Sequence, residues 1–315
     1  MRRLPLKKYL STGEHLLTNL RLGEAVYPFY ASLKVTQRCR FRCAFCDVWH
    51  RPAPELSFEQ IRRILDNLAH SSVILVSLEG GDPLLREDMG ELLKYAHSLP
   101  FYLLFTTSER DLEAYPMAEY GRYIDFLHIS IDEGHDNLEM LDQLDRFTGW
   151  GAAVCVQIVV MSRHLEALEQ KVEKCHRAGA KALIMPAVHL DRTRNYFPDF
   201  KAFKAHGLAL KRKYPHTVIT PARYFTQMEQ PQGCDTSSVI IDFDGGLFYP
   251  CKILGEKPAS MLNGPFMDFL RSPAAKRGRR LMAQCGRRCG WYQYFATSSY
   301  VSPHTVFSAL QPYLF

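Results

Sequence analysis

Cys39-Arg40-Phe41-Arg42-Cys43-Ala44-Phe45-Cys46 sets three thiols within eight residues, directly after the alternating run Ala31 to Thr36 that reads as a strand end. Three cysteines this close make a poor disulfide framework, but they can meet at one metal centre. A 4Fe–4S cubane takes four ligands, so three thiolates leave one iron open. The same loop with His50 added has the donor set of a tetrahedral zinc site, since zinc accepts thiolates and imidazole together. Two features outside the cysteines bear on the choice. Phe45 puts an aromatic ring just before the third thiol, and Gly80-Gly81-Asp82-Pro83 follows at the end of the next expected strand.

Size and composition allow one large α/β core with a smaller appended unit: 315 residues, 47% of them apolar. No run approaches the roughly 18 uninterrupted apolar residues of a membrane span. The basic start, Met1 to Lys8, lacks the apolar stretch of a secretory signal. Nine cysteines, an odd number, then point to a reducing, cytoplasmic setting and to metal ligation. The formal charge of +6 is modest. Its basic runs, Lys211 to Lys213 and Lys276 to Arg280, read as solvated faces, and no nucleic-acid partner is expected.

Residues 1–30 form a lead-in whose Leu10, Leu16, Leu17 and Leu20 give a partly helical apolar face beside Lys7 and Lys8. The expectation is a helix packed on the core; peripheral membrane contact is the other reading. Ser57 and Gln60 form a capping box before a helix carrying Phe58, Ile61, Leu65 and Leu68 on one stripe. Strands are expected at 72–78, 101–106, 124–131, 153–160 and 181–186, with helices at 85–98, 110–120, 138–149 and 164–178 between them. With the strand before Cys39 this makes six units, which indicates a parallel, right-handed βα-wound sheet. On the fourth strand His128, Ser130 and Asp132 share one face. They read either as cavity-lining groups or as a cap for the loop at Gly134. Gln157 shares a face with Cys155 and is a weaker substrate candidate, while Cys175 falls on a helical core stripe. Arg192 and Arg194, in the loop after the sixth strand, suit a substrate carboxylate or simply an exposed basic loop.

Beyond a helix at 201–213, four more cysteines appear: Cys234, Cys251, Cys285 and Cys289. A hairpin, Ile240 to Asp242 against Leu247 to Tyr249, turns at Gly245-Gly246. Four thiols suffice for a fully ligated second cluster or an all-cysteine zinc site.

The Cys-x3-Cys-x2-Cys loop with Phe45, together with Gly80 to Pro83, resembles the radical S-adenosylmethionine (radical SAM) superfamily. The resemblance implies a partial (β/α)6 TIM barrel in which Cys39, Cys43 and Cys46 hold a 4Fe–4S cluster and S-adenosylmethionine chelates the fourth iron. It assigns the methionine amino group to the Gly80–Pro83 turn, with Asp82 where the family usually has Glu, and places Ser130 and Asp132 near the ribose. Cys234, Gly246-x4-Cys251, Cys285 and Cys289 resemble the shorter, twitch form of the SPASM auxiliary-cluster domain, which implies a second 4Fe–4S cluster. The expected organisation is 1–30 lead-in, 31–200 barrel, 201–229 helical linker and 230–315 auxiliary domain with an aromatic tail. The expected activity is that of an oxidoreductase: a 5'-deoxyadenosyl radical abstracts hydrogen, a flavodoxin- or ferredoxin-type protein supplies the electron, and net oxidation follows. The aromatic tail, Trp291 to Tyr300 and on to Phe315, favours a bulky hydrophobic small molecule, such as a bacteriochlorophyllide-type tetrapyrrole or a lipid. The alternatives are a maturase of ribosomally made peptides forming a carbon–carbon or carbon–sulfur bond, and a non-catalytic zinc-binding protein.

Overall fold

In the computed structural model, which describes residues 2–46, 48–50, 54–188, 196–229 and 233–297, the chain opens with helix α1 (Leu6–Leu22). It then alternates through β1 (Tyr30–Thr36), α2 (Phe58–Ala69), β2 (Leu75–Gly80), α3 (Met89–Ser98), β3 (Tyr102–Thr107) and α4 (Met117–Tyr120). The alternation continues with β4 (Phe126–Ser130), α5 (Leu144–Thr148), β5 (Ala153–Val160), α6 (Leu168–Arg177) and β6 (Lys181–Pro186). Helices α7 (Phe200–Lys213) and α8 (Ala222–Gln227) lead to short strands β7 (Ser238–Ile241), β8 (Gly246–Phe248) and β9 (Ala259–Ser260). Helices α9 (Phe266–Arg271), α10 (Pro273–Ala283) and α11 (Tyr292–Thr297) follow.

The strands form one sheet in the order β6-β5-β4-β3-β2-β1-β7-β8-β9. From β1 to β6 each strand runs parallel to the next, so the expected βα-wound partial barrel is what forms, and it stays unclosed. Leu33, Val76, Phe105, Ile129 and Ile158 face the helices and pack there with Ile61, Leu65, Leu92 and Val172; Cys175 sits in the same core. By period two, the alternate positions face the other way, and there the strands carry Ser32, Lys34, Glu79, Thr106, Ser130 and Gln157. A polar inner face is costly to bury without partners, so it marks where ligands are handled.

Element ends shift for local reasons. β2 begins at Leu75, three residues after its expected start: Ser71 is still closing α2, its hydroxyl donating to Leu68 O (2.7 Å), and Ser72 is held by the segment before β1, donating to Pro28 O (2.6 Å). The helix expected over 110–120 is a 3-10 turn, Leu112–Ala114, and then α4, separated at Pro116, which has no N–H to continue the ladder. The helix over 138–149 likewise starts as 3-10, Leu138–Gln143, before α5. The capping box at Ser57 and Gln60 is present.

Two placements were not legible in the sequence. The hairpin β7–β8 joins the barrel sheet: β7 pairs in parallel with β1 (Tyr30↔Ser238 to Leu33↔Ile241) and extends the sheet at its free edge. Helix α1 does lie on the barrel, but through its polar side. Lys8 Nζ donates to Ser71 O (2.8 Å) and Ala69 O (3.3 Å), and Asn19 bonds Val26 N, Tyr27 N and Tyr27 O. Leu10, Leu17 and Leu20 point to solvent.

Candidate active site

The ends of β1 and β2 bring the cysteine loop against the Gly-Gly turn. Gly81 N donates to Thr36 O (2.8 Å) and Asp82 N to Arg38 O (2.7 Å). The approach is close enough to require glycine: a Cβ on Gly80 would stand 2.2 Å from Thr36 O, and one on Gly81 2.1 Å from Arg38 O. The loop is tied down at both flanks, by Arg38 on Glu55 (2.9 Å) and by Arg40 on Glu109 (3.1 Å). Phe45 lies over Gly134, where a Cβ would meet the ring at 2.2 Å, and its ring stands edge-on to His135 at 5.3 Å between centroids.

One cavity of about 260 Å³ collects Cys39, Cys43, Cys46 and Phe45 from the loop with Gly80 and Gly81 from the turn. Its remaining lining includes Glu79, Thr106, Ser130 and Gln157 at the carboxyl ends of β2 to β5, where α/β folds carry their sites, and His135 from the loop after β4. Burial pushes the Cys39 thiol up to about 11, so it is held as thiolate only against a metal cation. Thr106 Oγ1 is buried without a hydrogen-bond partner. Three thiols, a glycine cradle that a Cβ would fill and an orphaned hydroxyl on the opposite wall fit a cluster with a second ligand beside it.

The expected site residues divide. Ser130, Gln157 and Phe45 line the cavity. Asp82 does not. It is 1% exposed and its oxygens are engaged inside the protein, capping Leu84 N (3.1 Å) and accepting from Thr107 Oγ1 (2.8 and 3.0 Å) and Ser108 N (3.2 Å). Burial still lifts its carboxyl to about 6. In this structure Asp82 locks β2 to β3 through these bonds and is not among the cavity's lining residues; Pro83 behind it begins a 3-10 turn. Asp132 is also fully buried, accepting from Gly134 N (2.9 Å), His135 N (3.0 Å), Val159 N (3.0 Å) and His135 Nδ1 (2.8 Å). It caps the loop at Gly134 and bonds the cavity-lining His135; against burial, which lowers it, Asp132 and then Cys43 raise the His135 pKa to about 10. Gln157 Nε2 meets His128 Nδ1 at 2.7 Å; burial drops His128 to about 3, so its ring is neutral and Nδ1 accepts. Arg192 and Arg194, the tail from residue 298 and the His50 side chain lie outside the described residues.

Glu79 and His135 were not singled out from sequence. Glu79 left a signal there, an acid at an inward position of an apolar strand, one residue before the glycines. Among the described residues it is the one carboxylate lining this cavity. Its partner, Gln293 Nε2 at 3.4 Å, comes from α11 in the far C-terminal segment, and burial raises its pKa.

Cys234, Cys251, Cys285 and Cys289 also come together, around a small cavity of about 10 Å³ walled by Tyr294 and Phe295. Cys234 N and Cys285 N both donate to Met282 O, at 3.2 and 3.1 Å, which gathers two of them at the end of α10. Burial pushes the Cys289 thiol up to about 11, and its thiol neighbours Cys251 and Cys285 add to the effect. Among the described residues no three His, Cys, Asp or Glu side chains converge as they would on a single ion. Helix α11 joins the two cavities: Gln293 touches Glu79 in one, and Tyr294 lines the other. A further cavity, about 740 Å³ beside β8 and β9, contains no thiol, and none of its lining residues comes from β1 to β6.

Comparison with known proteins agrees with this geometry. A family model described as the radical SAM superfamily matches residues 33–203. The PqqA peptide cyclase of Rhodopseudomonas palustris is 28% identical over 142 residues, 44% of this chain and 37% of the cyclase. The GTP 3',8-cyclase of Vibrio cholerae is 37% identical over 71 residues, 21% of each chain. The chain thus spans well under two thirds of these relatives. Among solved structures, Streptococcus suis SuiB bound to precursor peptide SuiA superposes with a TM-score of 0.66 at 13% identity, over 87% of this chain and 74% of SuiB. Native anSMEcpe with bound AdoMet and Cp18Cys peptide gives 0.63 at 13% identity, over 91% and 98%. These two likenesses are of fold.

Proposed function

The chain belongs to the radical SAM superfamily, and from that premise we propose that it modifies a side chain of a ribosomally made peptide, joining it to a second atom through a new carbon–carbon or carbon–sulfur bond. The family's 4Fe–4S cluster and S-adenosylmethionine supply a hydrogen-abstracting 5'-deoxyadenosyl radical when bound. In this reading Cys39, Cys43 and Cys46 hold the cluster, and Gly80 and Gly81 let the cofactor approach the backbone. Phe45 and His135 close the wall beside it. Ser130, Gln157 and Thr106 offer polar contacts, and Glu79 orients an N–H or O–H donor of the incoming side chain.

The observation that carries the peptide reading is the likeness to peptide-modifying proteins: 28% identity to a PqqA peptide cyclase over 142 residues, and the fold shared with SuiB bound to its precursor peptide. The cavity beside the three thiols is compatible with it, since Glu79, Thr106, Ser130 and Gln157 offer polar contacts to a side chain reaching in.

Bond formation is a net oxidation. One carbon loses a hydrogen atom, its partner loses a proton, and one electron must leave. The four-thiol cavity is a place for an acceptor of that electron, one residue from Gln293. Co-expression with short peptides encoded beside the gene tests the proposal. A peptide lighter by two hydrogens, with 5'-deoxyadenosine formed in step, is the expected result; modification of a small molecule and of no peptide overturns it.

A further inference from the structure

Helix α1 is amphipathic the wrong way round. One polar side of it faces the protein: Lys8 and Asn19 are 7% and 3% exposed and hold the hydrogen bonds given above, and Thr12 Oγ1 donates to Ser72 O (3.5 Å). Most of its leucines face out, with Leu6 72% exposed, Leu10 60%, Leu17 53% and Leu20 37%; Leu16 is half-buried and lines the cavity beneath the helix with Tyr27 and Ile74. At 3.6 residues per turn, positions 6, 10, 17 and 20 fall on one stripe along the helix. Scattered surface leucines need no explanation, but a continuous stripe on a helix whose polar side is buried does.

From this stripe we infer that α1 is a membrane-docking element that seats the enzyme on an anionic bilayer surface. Three observations choose the bilayer. The exposed charges near the stripe are mainly basic, Arg3, Lys7 and Arg21 against Glu14, which complements anionic headgroups. The cavity beside α1 is lined by Thr12, Leu16 and Asn19 and by none of the four stripe leucines, so the stripe offers a peptide ligand no groove, whereas a bilayer interface takes up an exposed helix face. A symmetric contact with a second copy would set the basic flank against itself, since such interfaces use the same patch on both subunits. No described helix is long and apolar enough to cross a membrane, so the contact is one of lying on the surface. This inference does not depend on the substrate.

The test is flotation of the purified full chain with vesicles of phosphatidylcholine, with and without phosphatidylglycerol. Wild-type protein floats with the phosphatidylglycerol vesicles, and high salt weakens it. The double variant Leu10→Asp/Leu17→Asp loses at least about tenfold in vesicle affinity, since each leucine gives up most of its apolar burial. Lys7→Glu/Arg21→Glu weakens binding to the anionic vesicles only. Because all four positions are exposed, circular dichroism and melting temperature stay as in wild type, and Leu10→Ser/Leu17→Ser serves as a milder repeat. Wild-type protein that stays at the bottom with both vesicles overturns the inference, as does flotation unchanged by the leucine variants. A dimer in light scattering that the leucine variants dissociate, without vesicle binding, assigns the stripe to a second copy instead.

Discussion

At the residue scale, Glu79 and Asp82 differ in what their oxygens are left to meet. Asp82 spends its oxygens on Thr107, Ser108 and Leu84, whereas Glu79 keeps acceptor capacity towards the cavity with one long hydrogen bond from Gln293. Glu79→Gln retains the shape and removes the charge. It is expected to leave S-adenosylmethionine binding intact while peptide product falls by roughly 10²-fold and 5'-deoxyadenosine continues to form. Product and deoxyadenosine measured in the same tube check this; a parallel loss of both assigns Glu79 to the cofactor. Cys39→Ala is expected to abolish 5'-deoxyadenosine altogether. His128 sets a pH limit on stability. Its folded pKa, about 3, lies below the ordinary 6.5, so the unfolded chain binds the proton more readily. The stabilising effect is full above about 6.5 and fades as pH falls towards 3, by up to about 1.4 kcal/mol per pH unit. Urea melts of wild type and His128→Gln across that window should show the slope in the first and a flatter line in the second.

At the element scale, the β1 and β2 ends work as one part, because the cysteine loop is held by the backbone of the Gly-Gly turn. Gly81→Ala puts a methyl 2.1 Å from Arg38 O, and that atom is backbone, which has little freedom to give way. The expected result is a loss of about 1–3 kcal/mol in stability together with weakened cofactor binding, read by thermal melts and by equilibrium binding. The elements were legible in the sequence to differing degrees. The capping box, the six strands and the hairpin turn show in spacing alone, because each depends on neighbours within a few residues. The late start of β2 did not, since Ser72 bonds Pro28, 44 positions earlier. The burial of α1 by its polar side did not either, because the leucines alone describe an apolar face without saying which way it turns.

At the scale of the whole molecule, the two thiol sets share one sheet. β7 pairs with β1, and α11 links the two cavities, so the C-terminal segment reaches the active site through the bond from Gln293 to the lining residue Glu79. Reconstituted protein is expected to hold about eight irons, and Cys251→Ser about four. That variant should still cleave S-adenosylmethionine but lose peptide product, a split that iron analysis and mass spectrometry together resolve. The βα alternation determined the class of fold from sequence alone, because a strand period is a short-range pattern, and the cysteine spacing with the glycine pair carried the family resemblance that implied the chemistry. Only the tertiary structure decided which acid meets the cavity, which strand takes up the free edge of β1 and which side of α1 meets solvent. Each of those depends on partners tens to hundreds of residues away, and no local spacing records them.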